Sequence, residues 1–191
     1  MKTIGPLILL ILFVLGCSPS FEEKTLFLES DNDAWFQDGT ANWNWNDGII
    51  TGTSTSGSSF LMTTESYSFF ELSLEFNPDS TVNSGIFIRC SNKEVSATDC
   101  YEFNIWDLHP NQDFRTGALV GRATPLALVE TLNQWNTYRI KAHNGMLQAW
   151  INDVLTVDYR DSDLSEGYIA IQAGETGSIQ FRNIKVKYPS N

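Results

Sequence analysis

The stretch TYRIKAHNGMLQAWINDVLTVDY, residues 137–159, decides the fold class of this chain. Polar and apolar residues alternate through three successive runs, which is the pattern of strands with one buried face. The runs are separated by Asn144-Gly145 and Asn152-Asp153, and Asn-Gly is a preferred pair for a two-residue hairpin turn. The stretch therefore predicts an antiparallel meander.

Segments of the same kind recur on both sides of the meander, and no segment shows a helical period of useful length. Gly, Asn, Asp and Ser separate these segments, as expected of turns between strands. Further strands are predicted at residues 26–28, 48–52, 60–62, 69–76, 84–90, 101–106, 168–173 and 179–187. Many short strands at close spacing indicate an all-β sandwich or jelly roll.

The first residues of the chain look like a targeting signal rather than part of the fold. A basic start is followed by a nearly continuous apolar run over residues 4–15, which is shorter than the about 20 residues of a membrane span. This layout is that of a secretory signal, and the sequence VLGC at 14–17 resembles the lipobox of bacterial lipoproteins. We therefore predict that Cys17 is the lipidated residue.

These features divide the chain into a signal peptide at 1–16, a lipidated tether at 17–25 and a β-sandwich domain at 26–191. Ser18, which follows the cysteine, favours the outer membrane by resemblance to sorted lipoproteins. The domain would then lie in the periplasm or at the cell surface, and contact the membrane through the N-terminal lipid only.

The charge and cysteine content narrow the possible partners. With 12 Lys and Arg against 23 Asp and Glu, the net charge is −11, which argues against nucleic acid and against an anionic membrane surface. Cys90 and Cys100 are an even pair in an exported chain and predict a disulfide. No zinc spacing is present, so no cofactor is predicted, and calcium bound by scattered Asp and Asn oxygens is left as an open alternative.

Strand alternation places aromatic and polar side chains on the face opposite the apolar core in three of the predicted strands. Aromatic rings beside planar hydrogen-bonding groups suit sugars, whose C–H faces stack on rings while their hydroxyls need donors and acceptors. We expect one common surface formed by Phe87, Arg89, Glu102, Asn104, Trp106, Gln148 and Trp150.

Two residues of the stretch CYEFNIWDLHPNQDFRTGALVG, residues 100–121, are candidates for proton transfer. Glu102 lies mid-strand near an indole, where desolvation raises a carboxyl pKa; its alternative role is that of a solvated surface glutamate. His109 is the second candidate, because histidine is the residue type that most readily moves protons near neutral pH, although a loop histidine is equally consistent with a surface residue. Asp107 either orients His109, caps a turn or holds the loop through Arg115.

Several elements, in order along the chain, carry a family resemblance. They are Trp45-x-x-Gly48, FELSLEF at 70–76, NSGIFIR at 83–89, Tyr101-Glu102-x-x-Ile105-x-Asp107, TGA at 116–118, WNTY at 135–138, NDV at 152–154 and FRNI at 181–184. With them the chain resembles the bacterial 3-keto-disaccharide hydrolase domain family over nearly its whole length after the tether. The resemblance implies a concanavalin-like jelly-roll sandwich of two antiparallel sheets.

The resemblance also implies action on glycosides whose sugar carries a ketone at carbon 3. Such a site needs a base, a donor or cation for the enolate, and an acid for the leaving oxygen. Our hypothesis makes Glu102 or His109 the base and Arg89 the enolate partner, with Asn83 and Asn104 placing sugar hydroxyls. Asp107 and the aromatic and amide groups of the common surface complete the expected carbohydrate site, and an oxidoreductase that forms the ketone is an expected partner.

Two other functions compete with this one. A non-catalytic carbohydrate-binding lipoprotein needs only the aromatic surface and the amides, because one fold can host either role. A retaining glycosidase needs two carboxylates about 5 Å apart. We disfavour it because Asn104, rather than a second acid, follows Glu102 on the same strand face.

Overall fold

A computed structural model describes residues 20–54 and 56–190 of the chain. The predicted signal peptide, the predicted lipidation site Cys17 and the start of the predicted tether lie outside these residues. In the described ranges, no helix has the length and apolar character needed to cross a membrane.

The described residues form strands joined by turns and loops, with one short 3-10 helix at Gln112–Phe114. The strands are β1 Phe21–Thr25, β2 Trp35–Asp38, β3 Asn42–Asn46, β4 Ile49–Thr53, β5 Ser59–Thr63, β6 Phe70–Pro78, β7 Ser84–Cys90, β8 Tyr101–Ile105, β9 Asn136–His143, β10 Met146–Ile151, β11 Val154–Arg160, β12 Tyr168–Ala173 and β13 Ser178–Pro189. They build two antiparallel sheets, which confirms the predicted all-β sandwich.

The larger sheet has eight strands in the order β11-β10-β9-β6-β13-β4-β3, with β1 paired to β13. The smaller sheet has five strands in the order β2-β5-β12-β7-β8. The predicted meander is β9-β10-β11. Its turn residues all have positive φ, at 47° for Asn144, 73° for Gly145, 49° for Asn152 and 64° for Asp153, as the tight turns that match strand twist require.

The main core lies between the two sheets and takes one face of each strand. Ile86 and Ile88 of β7 and Phe103 and Ile105 of β8 are fully buried there, as their alternation predicts. Burial of each such side chain stabilises the fold by roughly 1.5–3 kcal/mol. The opposite face of β7 and β8 therefore points away from the core.

A second, smaller apolar cluster covers part of that outward face of the five-stranded sheet. It consists of Phe60, Met62, Phe87, Cys90, Cys100 and Ala170, with Phe36, Val95 and Tyr168 packed against it. The predicted disulfide between Cys90 and Cys100 is confirmed. It closes the loop that carries Val95 over this face, so the disulfide both links β7 to β8 and shields the sheet there.

The start of the domain differs from the prediction. Residues 21–25, placed in the tether, form β1, and Thr25 pairs with Lys185 while Phe21 pairs with Pro189. The predicted strand at 26–28 is irregular, and β2 was not predicted. The segment FEEKT lacks apolar alternation because β1 lies along one side of β13 with four of its five residues exposed.

Candidate functional site

Glu102 lies in β8, the last strand of the five-stranded sheet, but its backbone is not at an open edge. Residues 117–120 run beside β8, where the Val120 amide donates to the Glu102 carbonyl over 3.0 Å. The Asn104 amide likewise donates to the Ala118 carbonyl over 3.0 Å. Strand β8 is therefore held on both sides, which fixes the position of its outward side chains.

The Glu102 side chain lies on the outward face, directly opposite Phe87 of β7. A Cβ atom built on Gly85 would lie 3.4 Å from Glu102 Oε1 and 3.2 Å from the Phe87 ring. Because Gly85 has no side chain, the Glu102 carboxyl can lie against the sheet beside that ring. A glycine in the interior of a strand often marks such a close approach.

Burial raises the pKa of Glu102 from its ordinary value of 4.5 to about 7. No hydrogen bond to a described residue offsets this desolvation. A carboxyl without partners exchanges its proton near neutral pH, which is the property of a general acid or base. The shift has the direction expected from the sequence, but the ring that flanks the carboxyl is Phe87 and not an indole.

Gln172 of β12 shares this outward face. Its neighbour Ile171 points into the main core, and Ala170 belongs to the outer cluster. Only 6% of Gln172 is exposed, its Nε2 donates to Ser58 Oγ over 3.1 Å, and its Oε1 is buried without a hydrogen-bond partner. Sequence reasoning missed Gln172 and Gly85, although Gln172 is the polar member of the alternation in YIAIQA.

Asn83 and Phe87 are less open than the predicted site requires. Asn83 is half-buried immediately before β7, with its backbone packed against Gly174. Phe87 is 3% exposed and packs edge-to-face on Phe60 with ring centroids 5.3 Å apart. The Phe87 ring therefore borders the Glu102 carboxyl from within the outer cluster and does not offer an open stacking surface.

Asn104 and Asp107 hold the long loop that follows β8. The buried Asn104 side chain donates to the Phe114 carbonyl and accepts from the Ile105 amide. Asp107 is 3% exposed, and its carboxylate accepts from the Thr131 amide at 2.7 Å and from the Thr131 hydroxyl at 2.8 Å. The structure thus gives Asp107 the loop-holding role, with Arg115 at 3.9 Å.

Trp106 and His109 lie together in that loop, with ring centroids 4.4 Å apart. His109 Nδ1 accepts from the Asn111 amide at 3.0 Å, and its ring also approaches that of Phe114. The structure shows no hydrogen bond between His109 and Glu102. The role of His109 as the alternative base stays a prediction.

The expectation that Arg89 shares the face of Phe87 is wrong. The register of β7 with β12 shifts next to it, and Arg89 has a φ of 53°, so strict alternation fails at this position. The Arg89 guanidinium is 2% exposed and donates to the carbonyls of Leu164 at 3.0 Å and Ser68 at 2.6 Å. Arg89 thus ties two loops together away from the Glu102 carboxyl.

Gln148 and Trp150 are also separated from Glu102, because β10 belongs to the eight-stranded sheet. On its outer face, Gln148 Nε2 donates to Asp158 over 3.3 Å. The Arg139 guanidinium lies 3.8 Å from the Trp150 ring centroid. The two outer faces of a sandwich point in opposite directions, so the predicted common surface is divided between them.

Five clefts on the described surface contain neither Glu102 nor Gln172 in their lining. One of about 210 Å³ is lined by Phe21, Phe69, Phe70, Glu71, Lys141, His143 and Lys187. These residues belong to or border the eight-stranded sheet, and the cleft contains no residue of the Glu102 group. Glu102 is therefore assigned to the site by its chemistry and its neighbours, on an open sheet face.

No group of three or more His, Cys, Asp or Glu residues that could hold a metal ion occurs in residues 20–54 and 56–190. Calcium bound by scattered Asp and Asn oxygens stays an open alternative.

The fold defines the class of the protein as a jelly-roll sandwich of the galectin and concanavalin type. The sequence-family model of the 3-keto-α-glucoside-1,2-lyase-like domain matches residues 22–187 of the chain. The chain therefore belongs to this family, as its sequence motifs indicated. No curated protein has significant sequence similarity to it.

Solved structures agree with the fold. A structure from Parabacteroides distasonis ATCC 8503, provisionally named a glycosyl hydrolase, has a TM-score of 0.72 at 21% identity and covers 86% of this chain and 98% of its own. A second such structure from the same organism has a TM-score of 0.69 at 17% identity, covering 83% and 89%. The carbohydrate-binding module CBM66 from Bacillus subtilis has a TM-score of 0.64 at 20% identity, covering 80% and 94%.

Proposed function

We propose that this chain is an enzyme that cleaves glycosides whose sugar carries a ketone at carbon 3, and that Glu102 carries the proton in this reaction. The observation that carries the proposal is the Glu102 carboxyl itself. It is outward-facing and without a partner, and its pKa is raised to about 7. Such a group is poised to exchange protons at neutral pH.

The chemistry needs little more than a well-placed base at its first step. A ketone at carbon 3 acidifies the C–H bond at carbon 2, so ionised Glu102 can remove that proton. The electron pair of the broken C–H bond then forms the double bond between carbons 1 and 2, and the C1–O bond breaks. The aglycone oxygen takes up a proton and leaves as an alcohol; addition of water to the enone gives net hydrolysis.

The family and the surroundings of Glu102 support this proposal. The matching family model is named after a 3-keto-α-glucoside-1,2-lyase. A lyase of that name catalyses an elimination of this kind. The Phe87 ring and the shielded sheet keep water from solvating the carboxyl fully, and this is what holds its pKa high. A neutral-pH base on a firmly paired strand is the arrangement that carbon-acid chemistry requires.

A retaining glycosidase is less well supported, because it needs a second carboxylate about 5 Å from the first, and Asn104 occupies the next outward position of β8 after Glu102. The Asp107 carboxylate already accepts two hydrogen bonds from Thr131. Asp38 lies on β2, at the opposite edge of the five-stranded sheet from β8, which corresponds to roughly 19 Å at the usual strand spacing.

A non-catalytic carbohydrate-binding role is the second candidate. The clefts described above do not include Glu102, and the similarity to a carbohydrate-binding module extends over 80% of this chain. This role would use the same outward face but would need no titrating carboxyl. Turnover is therefore the measurement that separates the two candidates.

The test is to incubate the purified full chain with a 3-keto-glucoside and with the matching ordinary glucoside, and to measure release of the aglycone. We expect release only from the keto substrate. Glu102→Gln should abolish release, while Gln148→Ala, on the opposite sheet, should leave it unchanged. Binding of the keto substrate without any release by the wild-type chain would contradict the enzymatic proposal and support the binding role.

We also propose that the chain is a lipoprotein anchored through Cys17 in the outer membrane, and that a sugar oxidoreductase supplies its keto substrate. The VLGC sequence and Ser18 support the anchor. Labelling with a radioactive fatty acid should mark the wild-type chain and not Cys17→Ser. Equal labelling of both chains, or recovery of the wild type in the soluble fraction, would contradict the anchor.

A further inference from the structure

Gln172 is a buried polar residue whose hydrogen bonds are incomplete, and it lies on the same outward face as Glu102, two strands away. Six side-chain atoms in the described residues are buried without a partner. Those of Trp43 and Tyr138 belong to residues of the main core between the sheets. Gln172 Oε1, in contrast, belongs to a side chain on the outward face of the five-stranded sheet, the face of the proposed site.

The register places Gln172 and Glu102 on opposite sides of β7. Gly85 pairs with Asn104, and Glu102, one row away, pairs with Phe87. Ala170 pairs with Phe87 and Ile171 with Ile86, so the next residue, Gln172, lies beside Gly85. The Ser84 hydroxyl donates to the Gln172 carbonyl over 2.6 Å, which shows that the two strands remain adjacent there. Neighbouring strands are about 4.8 Å apart, and the Glu102 carboxyl leans over Gly85 from the other side, so one sugar ring can reach both groups.

The amide oxygen of Gln172, which has no hydrogen-bond partner, does not stabilise the fold. A buried polar group left without a partner destabilises the folded state, and methionine would fill the same volume without this cost. The conclusion does not depend on how the amide is turned, because Ser58 Oγ can donate or accept and either orientation leaves one end free. Unsatisfied groups of this kind are expected at functional sites, where a ligand completes them.

We propose that Gln172 is a specificity-determining residue of the Glu102 site, and that its free amide end binds a ring hydroxyl of the sugar that Glu102 deprotonates. The inference rests on the proposed function of Glu102. It defines the substrate class further: the sugar must keep a free hydroxyl at the position that meets Gln172. Deoxy or O-alkylated sugars at that position are poor substrates, because the buried amide then stays unpaired.

The test combines one variant with a set of substrates. Gln172→Met in the full chain removes the amide and keeps the volume, and Gln180→Met, on β13 of the other sheet, is the matched control. Both are assayed on a 3-keto-glucoside and on analogues that each lack one hydroxyl. We expect wild type and Gln180→Met to lose 10- to 100-fold in kcat/KM on one analogue. Gln172→Met should lose a similar factor on the parent sugar and nothing further on that analogue.

Such coupling between a residue and one hydroxyl is specific to a direct contact. A structural role would lower activity on all substrates together and would lower Tm, whereas we expect the Tm of Gln172→Met to stay at or above that of wild type. Wild-type kcat/KM for Gln172→Met on the parent sugar, or equal losses on every analogue in both chains, would overturn the proposal.

Failure of the proposed function gives a different result. If the wild-type chain turns over no 3-keto-glucoside, the function is refuted. The same comparison of variants and sugar analogues is then made with Kd, measured by calorimetry, in place of kcat/KM. A hydroxyl that couples to Gln172 in binding would uphold the contact without the reaction. Absence of coupling, or absence of any sugar binding, would overturn the contact as well.

Discussion

Two glutamates on the outward faces of the two sheets behave in opposite ways. Glu75 of the eight-stranded sheet accepts hydrogen bonds from Asn183 at 2.6 Å and from Arg182, and these bonds hold its pKa below the ordinary value. Glu102 of the five-stranded sheet has no such partner, and burial raises its pKa to about 7. Both occupy polar positions of alternating strands. The difference therefore shows that hydrogen-bond partners and burial set the pKa of an outward carboxyl.

The largest expected difference between them is in catalysis. Glu102→Gln should reduce kcat on a 3-keto-glucoside by 10²–10⁴-fold, the usual contribution of a general base or acid. Glu75→Gln, the same change on the other sheet, should leave kcat unchanged. Aglycone release followed under saturating substrate measures both. A similar loss in the two variants would show that the comparison does not identify the site.

The pH dependence of activity sharpens the assignment. If ionised Glu102 is the base, kcat/KM should rise about tenfold per pH unit below pH 7 and level off above it. The rise reflects the carboxyl pKa of about 7 in the folded chain. Rates on a 3-keto-glucoside between pH 5 and 9 measure the profile. A decline of kcat/KM through pH 7 would instead make Glu102 the acid, and a flat profile would remove it from proton transfer.

Removal of the disulfide tests whether the loop between Cys90 and Cys100 shields the outward face that carries Glu102. Replacing both Cys90 and Cys100 by serine should lower the free energy of unfolding by roughly 2–3 kcal/mol, the chain-entropy contribution of a loop this short. The pKa of Glu102 should also fall toward 4.5, because Val95 no longer covers the outer cluster. Denaturant unfolding and the pH profile measure the two effects. A pH profile equal to that of the wild-type chain would show that the loop does not shield Glu102.

The last comparison concerns stability, and here the two glutamates should differ in sign. The pKa of Glu102 is about 7 in the folded chain and near its ordinary 4.5 in the unfolded chain, so its ionisation destabilises the fold. This cost is absent below pH 4.5, grows as the pH rises and is complete above about pH 7. Glu102→Gln should therefore be more stable than wild type at pH 8, by about 3 kcal/mol, and equal to it at pH 4.

Glu75→Gln is the control for that measurement. The lowered pKa of Glu75 contributes stability above its ordinary value of 4.5, and this contribution is lost as the pH falls through the lowered value. The variant should therefore be less stable than wild type at pH 8, by up to about 1 kcal/mol because the pair is partly exposed. Urea unfolding at both pH values measures the differences. Destabilisation by Glu102→Gln at pH 8 would contradict the assigned pKa.

Local patterns in the sequence predicted much of the fold. The meander at 137–159 and the inward positions of Ile86, Ile88, Phe103 and Ile105 follow from strand alternation and turn residues, which act over a few positions. The Cys90–Cys100 pair follows from counting cysteines. Strand β1 was missed because its exposed residues carry no apolar period, and its pairing with β13 connects residues at opposite ends of the domain.

The site was only partly predictable. Glu102 was found because a mid-strand carboxylate among aromatic residues is unusual within one strand. Trp150 and Gln148 were grouped with it because alternation assigns a side chain to the outside of a sheet without saying which sheet. Arg89 was misplaced because alternation assumes a regular ladder, and the register shift at its position depends on the partner strand β12.

The amino-acid sequence by itself determined most of the strands, their turns, their inward faces and the family, because each depends on neighbouring residues or on motifs in order. Only the tertiary structure decided which strands share a sheet. That pairing separated Trp150 from Glu102, placed Gly85 beside the carboxyl and placed Gln172 on the same outward face. It also left Glu102 without a partner, whereas Glu75 received two. The physical reason is that strand pairing and desolvation are set by residues far apart in the chain.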